Sequence, residues 1–132
     1  MPVRGVRGAT TATANEAGAI LGATRGLLEE MVARNGIAVD DLAAGYFTVT
    51  EDLDAAFPAR AARELGWTHT PLLDAREIPV PGSLPRCIRV LLLWNTERAP
   101  QEVIHVYQHE AVRLRPDLVV AGATPGTRED SV

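Results

Sequence analysis

The side chains of this sequence that could do chemistry are mostly arginines. All thirteen basic residues among the 132 are arginine, and there is no lysine. The set that stands out contains one glutamate, one tyrosine and five arginines: Glu77, Tyr107, Arg7, Arg60, Arg63, Arg89 and Arg115. Guanidinium groups match the geometry of carboxylates, and in a dry, preorganised site they stabilise charge that develops on an oxygen. The set predicts a site for an anionic small molecule, or catalysis by positioning and electrostatics without a nucleophile.

Other kinds of chemistry lack the residues that they need. The sequence contains no Gly-x-Gly-x-x-Gly, P-loop or Gly-x-Ser-x-Gly motif, and the absence of lysine excludes Schiff-base enzymes. His105 and His109 have an i, i+4 spacing that could bind zinc, but no cysteine pair or His-Glu-x-x-His pattern accompanies them. We therefore predict no metal site and no covalent or hydride chemistry.

Length and charge restrict the class of protein further. A chain of 132 residues is long enough for one domain with a core and too short for two. A formal net charge of -4 argues against nucleic acid or a membrane surface as partner. Cys87 is the single cysteine, and no run reaches the roughly 18 apolar residues of a membrane span. The sequence therefore predicts a soluble, cytoplasmic domain.

The stretch from Glu77 to Trp94 contains the strongest strand signal. Its apolar run from Ile88 onward predicts a central strand over 86–95 that is buried on both faces. Arg89 lies at the start of this run, after a stiff loop with prolines at positions 79, 81 and 85. A guanidinium that enters a buried strand needs an anionic or polar partner. Either the protein or a ligand supplies that partner.

The other patterns predict an α/β or α+β domain of about five strands and three helices. Strands are expected over 3–10, 46–50 and 67–73, and helices over 16–35, 57–66 and 96–112, the last with Val103, Ile104, Tyr107, Ala111 and Val112 on its apolar face. Arg4 and Arg7 are three residues apart, so on a strand they point to opposite faces and only one can share a site with Arg89. We predict one domain over 1–118 and a mobile tail over 119–132.

Several longer stretches resemble one enzyme family. They are Arg-Gly-Val-Arg-Gly-Ala-Thr at 4–10, Thr-Glu-Asp-Leu-Asp-Ala-Ala-Phe-Pro-Ala at 50–59, Arg-Glu-Leu at 63–65, Leu-Pro-Arg-Cys-Ile-Arg-Val at 84–90, His-Val-Tyr at 105–107 and Ala-Val-Arg-Leu-Arg-Pro-Asp-Leu at 111–118, together with Glu77. In this order they resemble the monofunctional, trimeric chorismate mutases of the AroH type, from Val3 to about Leu118. The resemblance implies a homotrimer with a pseudo-barrel of mixed sheets at its centre and active sites at the subunit interfaces.

The resemblance also implies a reaction and a role for each matching residue. The reaction is the cofactor-independent Claisen rearrangement of chorismate to prephenate, in phenylalanine and tyrosine biosynthesis. Arg89 would bind the ether oxygen, Glu77 the ring hydroxyl, and Arg7 with Tyr107 a carboxylate. Further substrate-binding positions would be Phe57, Ala59, Arg60, Arg63, Leu73, Asp74, Leu114 and Arg115. In this interpretation Glu77 is a second contact to the substrate and not the ion-pair partner of Arg89.

Two other functions are compatible with an arginine-lined site. One is a trimeric imine or enamine deaminase of the Rid type, which lacks the combination of Glu77 and Arg89 across a proline-rich loop. The other is a non-catalytic trimer that binds a small carboxylate. Asp74 departs from the resemblance, because the family tends to have a small neutral or thiol side chain there and a carboxylate would repel a dianion.

Overall fold

The computed structural model describes residues 1–114, which form one mixed sheet with two α-helices. The elements are β1 (Val3–Thr11), α1 (Ala17–Asn35), β2 (Leu42–Val49), α2 (Ala59–Glu64), β3 (Leu72–Arg76), β4 (Cys87–Asn95) and β5 (Val106–Tyr107), with short 3-10 helices at Val39–Asp41, Pro100–Glu102 and His109–Leu114. Arg115 and the predicted tail over 119–132 lie outside the described residues. In the range 1–114, no helix is long and apolar enough to cross a membrane.

The strand order places β4 in the middle of the sheet. The order is β3-β2-β4-β1-β5. β4 runs antiparallel to both of its neighbours, whereas the edge strands β3 and β5 are parallel to β2 and β1. The predicted α+β class with a mixed, five-stranded sheet is therefore confirmed. Arg89 of β4 lies opposite Ala9 on one side and Thr48 on the other, so two ladders fix its backbone.

Helix α1 covers one face of this sheet, because its large residues recur at helical spacing. Its buried residues are Ile20, Thr24, Leu27, Leu28, Met31 and Asn35. β1 approaches the helix closely at Gly8, where a Cβ would lie 2.4 Å from the sulfur of Met31. The helix ends as predicted at Gly36, which has a φ of 68° and donates its backbone N–H to the carbonyl of Val32.

The opposite face of the sheet is only partly covered, and we call it the open face. Along β4, Val90 and Leu92 are buried toward α1, whereas Leu91 between them is 37% exposed. Tyr46 of β2 lies opposite Leu91 and is 40% exposed. Within residues 1–114 the prediction that β4 is buried on both faces is therefore wrong, since α1 covers only one face.

The third predicted strand begins later than expected. β3 starts at Leu72, and its ladder begins where the N–H of Gly45 donates to the carbonyl of Pro71. The sequence pattern places Trp67 in this strand, but the residue is buried and its N–H donates to the carbonyl of Ala62. Its indole is therefore part of the core beside the end of α2, and the sheet resumes only after a connecting segment.

The helix predicted over 96–112 is wrong. After the 3-10 helix Pro100–Glu102 the chain runs extended to Tyr107, and β5 pairs with Gly8 and Ala9 of β1. Apolar residues at 103, 104, 107, 111 and 112 fit one helix face, but pairing with β1 decides the structure of this segment. His105 and His109 are therefore not one helical turn apart, and His109 has a left-handed φ of 53°.

Candidate active site

Arg7, Arg89 and Tyr107 lie together on the open face. Ala9 lies between them, because it is opposite Arg89 on β4 and opposite Tyr107 on β5. Arg7 is two residues before Ala9 and therefore points to the same face. A cavity of about 270 Å³ lies beside these side chains, and we call it the open-face cavity. Its lining includes Arg7, Tyr46, Thr48, Arg89, Tyr107 and Leu114.

The two arginines of β1 have different surroundings. Arg4 points to the side of α1, and its Nε donates to the carbonyl of Arg98 at 2.8 Å. Arg7 is exposed, and its backbone N–H donates to Nδ1 of His105 at 3.0 Å. Among residues 1–114, the guanidinium of Arg7 has no hydrogen-bond or ion-pair partner. Of the two, Arg7 is therefore the cation available to an anion in the open-face cavity.

Glu77 forms an ion pair with Arg89. Nε of Arg89 lies 3.1 Å from Oε2 of Glu77, but its N–H is not directed at that oxygen, so the contact is electrostatic. The hydroxyl of Thr48 donates a hydrogen bond to the same oxygen. The interpretation of Glu77 as a residue that does not pair with Arg89 is therefore wrong, although a cavity does lie beside the pair. The side chain of Arg89 is 40% exposed and lines the open-face cavity, whereas that of Glu77 is 18% exposed and does not line it.

Hydrogen bonds at the end of the proline-rich loop fix the start of β4. Arg86 has a left-handed φ of 50°, and its N–H donates to both oxygens of Asp52 at 2.9 and 3.2 Å. The N–H of Cys87 donates to Oγ1 of Thr50 at 3.0 Å. Since Arg89 follows two residues later, these bonds set the position of its side chain along the open face.

The single cysteine is unsuited to nucleophilic chemistry. Cys87 is 1% exposed, and burial raises the pKa of its thiol to about 11, with the charge of Arg89 acting in the opposite direction. The thiol is therefore protonated at neutral pH and inert.

A second cavity lies at the β3 edge of the sheet, and we call it the edge cavity. Its volume is about 490 Å³, and its lining includes Phe57, Arg60, Asp74 and Arg76. Phe57 is 70% exposed in the described structure, which is unusual for a phenylalanine. Arg60 pairs with Glu64 of α2, at 3.1 Å between Nε and Oε2. The edge cavity is therefore a concave surface with a large apolar side chain at its rim.

Asp74 connects β3 to the beginning of α2. It lies opposite Phe47 of β2, and its Oδ1 accepts a hydrogen bond from the N–H of Ala59 at 3.0 Å. Burial raises the pKa of the Asp74 carboxyl above 3.8, although the N–H of Ala59 and the charge of Arg63 act to lower it. The carboxylate therefore holds α2 against the sheet, on the side away from the open face.

The predicted residues divide into two groups that one chain does not bring together. The open-face cavity is centred on β4 and β1, whereas the edge cavity lies beside β3, and two or three strand spacings of roughly 4.8 Å separate them. Four predicted residues line neither cavity: Ala59 is buried, Arg63 is exposed on α2, Leu73 is 59% exposed on β3, and the side chain of Glu77 is 18% exposed beside Arg89. Arg115 lies outside the described residues.

The residues near the two cavities that are not predicted from the sequence include Tyr46, Thr48, Arg76 and His105. The alternation of β2 contains a signal for the first two, because Phe47 belongs to the core and its neighbours must face the other way. The sequence suggests His105 only as a zinc ligand, and its bond to Arg7 depends on a strand pairing that the sequence does not reveal. In the described part of the chain, no three histidine, cysteine or acidic side chains are grouped as metal ligands.

Arg7 and Arg89 beside one cavity of a small α+β domain define a candidate site of the class that binds small anions. The comparisons with known proteins narrow that class. The family model for chorismate mutase type I matches residues 3–118. The chain therefore belongs to the type I chorismate mutase family, of the AroH type, and it is an enzyme of the isomerase class.

Individual relatives agree with this assignment. The chain is 61% identical over 117 residues to the chorismate mutase AroH of Thermus thermophilus, covering 88% of this chain and 96% of that protein. It is 40% identical over 119 residues to the AroH of Bacillus subtilis strain 168, covering 89% and 94%. A solved chorismate mutase from Clostridium thermocellum superposes with a TM-score of 0.82 at 50% identity, covering 83% of this chain and 98% of that one.

Proposed function

We propose that the chain converts chorismate to prephenate and that the open-face cavity contributes the charged half of the active site. The observation that carries the proposal is the position of Arg89. Its guanidinium is fixed by a central strand and by Glu77, and it still faces a cavity. The assignment also places the chain in aromatic amino acid biosynthesis.

The rearrangement needs a stabilised oxygen and a fixed conformer, and no covalent help from the protein. As the C–O bond of the substrate lengthens, negative charge grows on the ether oxygen. A cation held in place before the reaction stabilises that charge more in the transition state than in the ground state. Restricting the substrate to a chair-like reactive conformer lowers the barrier further. Arg89 has the charge and the rigidity for the first task.

The other groups of the open-face cavity have the chemistry to orient a dianion. The guanidinium of Arg7 has no partner among the described residues. Tyr107, which is opposite Ala9 on the neighbouring strand, lines the same cavity. Together they would hold one carboxylate of chorismate. Glu77 lies beside Arg89 and accepts a hydrogen bond from Thr48, and it would also accept the hydrogen bond of the ring hydroxyl. This last contact requires the carboxylate to turn toward the cavity.

We propose that the complete active site forms between copies of this chain in a homotrimer. The open face leaves apolar side chains uncovered, among them Tyr46 and Leu91, and such faces are typical of surfaces that another subunit covers. The edge cavity carries an exposed Phe57 at its rim. A second copy that sets its edge cavity against the open-face cavity would enclose the substrate and bring the two groups of predicted residues together.

The span matched by the family model supports 1–118 as the catalytic domain. We also propose a reducing cytoplasm as the location of the protein, because its single cysteine cannot form an intrachain disulfide.

The direct test of the activity is the loss of chorismate absorbance when purified protein is added, with prephenate identified as the product. We expect first-order conversion without any added metal or cofactor. If micromolar protein forms no prephenate, the proposed function is wrong.

The shared site is tested by mixing two impaired variants, Arg89→Gln from the open-face cavity and Arg63→Gln from α2. If each site takes one group of residues from each of two subunits, random assembly of the co-expressed variants restores roughly a quarter of the sites. The mixture then exceeds the mean activity of the two pure variants, and the native mass is three times that of the chain. A mixture that shows only the mean activity would contradict a shared site.

A further inference from the structure

The backbone just before β5 is held by side chains where a longer strand would use backbone groups. Asn35, at the end of α1, is 1% exposed. Its Oδ1 accepts the N–H of Ile104 at 2.8 Å, and its Nδ2 donates to the carbonyl of Ile104 at 2.9 Å. The same Nδ2 also donates to the carbonyl of Met31 at 2.9 Å. The side-chain amide of Asn35 thus pairs with the backbone of Ile104 as a neighbouring strand would. It thereby fixes the residue that follows Ile104.

His105 is that residue, and its imidazole extends the ladder between β1 and β5 by one hydrogen bond. Backbone pairing begins at Gly8 with Val106, one residue further along each strand. At the preceding position the N–H of Arg7 donates to Nδ1 of His105 at 3.0 Å. An acceptor nitrogen carries no hydrogen, so this bond requires the ring hydrogen of His105 to lie on Nε2. The N–H of Arg7 therefore depends on one side chain for its partner.

We propose that His105 is a positioning residue for substrate binding. Asn35 fixes the backbone of Ile104, and so the position of His105, whose Nδ1 holds the backbone N–H of Arg7. This contact places the Arg7 guanidinium correctly in the open-face cavity. This inference rests on the proposed function, because it assigns the substrate carboxylate to Arg7. His105 itself does not line the open-face cavity. It acts through the backbone of the residue that does.

The geometry explains why one bond matters at this point. Arg7 occupies the strand between β4 and a β5 of only two residues, so the ladder on the β5 side is short. Its guanidinium has no partner among residues 1–114 that would hold it if the backbone moved. A displacement of the backbone is therefore transmitted to the charged group, and misplacement by about 1 Å is enough to cost a large factor in the use of a substrate.

The test compares two substitutions of His105 that differ in their acceptor. His105→Asn places an amide oxygen where Nδ1 lies, whereas His105→Phe has a similar ring and no acceptor. We expect His105→Phe to raise KM for chorismate on the order of ten- to a hundredfold with a smaller change in kcat, and His105→Asn to remain close to the wild type. His105→Gln carries its amide one carbon further out and therefore has no acceptor at the position of Nδ1, so it should behave like His105→Phe. It replaces His105→Phe in the test if the phenylalanine variant does not fold.

Two further measurements separate positioning from general destabilisation. Val103→Ala shortens a buried residue of the same segment without touching the bond, so it should lower the melting temperature and leave KM unchanged. Hydrogen exchange of the Arg7 amide should be faster in His105→Phe and slow in both the wild type and His105→Asn.

The inference is overturned if His105→Phe keeps the wild-type KM, or if His105→Asn is impaired as much as His105→Phe. A wild-type protein that consumes no chorismate would instead overturn the proposed function, and the exchange of the Arg7 amide would still report whether the bond exists.

Discussion

The open-face cavity and the edge cavity are built on different kinds of backbone. The groups around the first lie on β4, β1 and β2, and Arg89 has a ladder partner on each side. The edge cavity lies between β3, which has one neighbour in the sheet, and α2, which is only six residues long. Asp74 is the side chain that joins these two elements, through the N–H of Ala59. The first cavity is therefore held by continuous ladders and the second by few contacts.

This difference fits a division of labour between the two cavities. Stabilising a developing charge requires a cation that does not move during the reaction, and a central strand supplies that rigidity. Enclosing a substrate requires a surface that another subunit or the substrate can complete, and the exposed Phe57 just before the short helix α2 is suited to that. We therefore expect substitution of Arg89, the fixed cation of the open-face cavity, to change mainly kcat, and substitutions in the edge cavity to change mainly KM.

The largest expected effect is the difference in kcat between a variant of Arg89 and a variant of Arg60. Arg89→Gln removes the cation from the central strand and should lower kcat on the order of 10²- to 10³-fold, the loss typical of one electrostatic donor. Arg60 is exposed and already paired with Glu64, so Arg60→Gln should raise KM and change kcat much less. Steady-state kinetics of both variants measure the two effects.

Arg34→Gln is the matched control for these two variants. Arg34 is an exposed arginine of α1 that pairs with Glu30 and lines neither cavity. Its loss should therefore leave kcat and KM unchanged. If Arg60→Gln lowered kcat as much as Arg89→Gln, the division between the two cavities would be wrong.

A smaller effect tests the close packing that supports the open face. Gly8→Ala places a Cβ against the sulfur of Met31 and should lower the free energy of unfolding by about 1 to 3 kcal/mol, because the core behind β1 is already filled. Gly22 lies on the outside of α1, where a Cβ would meet no other described residue within 4 Å, so Gly22→Ala should stabilise the protein by roughly 0.5 to 1 kcal/mol. Urea unfolding of both variants measures the difference, and equal signs would contradict this account of the packing.

The sequence names residues of both cavities, but its strand patterns support only the open-face cavity, for a physical reason. β1 and β4 have strong strand patterns, and alternation assigns Arg7 and Arg4 to opposite faces. The pattern over 96–112 predicts a helix because periodicity is local information, whereas the structure of this segment depends on Asn35 and β1, which are distant in sequence. The pairing of Glu77 with Arg89 and the inward turn of Asp74 likewise depend on tertiary contacts.

The smallest expected effect concerns the charge of Asp74, and it is seen in stability as a function of pH. Burial raises the pKa of this carboxyl in the native state above 3.8, so the native chain keeps a proton at pH values where the unfolded chain has released it. As the pH rises from below 3.8 through the raised pKa, the wild type therefore loses free energy of unfolding relative to Asp74→Asn. The asparagine oxygen can still accept the N–H of Ala59. The free energy of unfolding of Asp74→Ala should change with pH as that of Asp74→Asn does. It should be lower by about 1 kcal/mol throughout, because the alanine variant also loses the hydrogen bond from Ala59.

Urea unfolding of the three proteins between acidic and neutral pH measures this trend. An advantage of Asp74→Asn that grows with pH means that desolvation dominates at this position, and that the edge cavity contains a carboxylate which destabilises its own fold. An advantage that shrinks as the pH rises would mean that the attraction of Arg63 exceeds the cost of burial. The Asp74 carboxylate would then stabilise the fold through its attraction to Arg63, as an ion pair does. The two cavities would in that case not differ in whether their carboxylates are stabilised by an arginine.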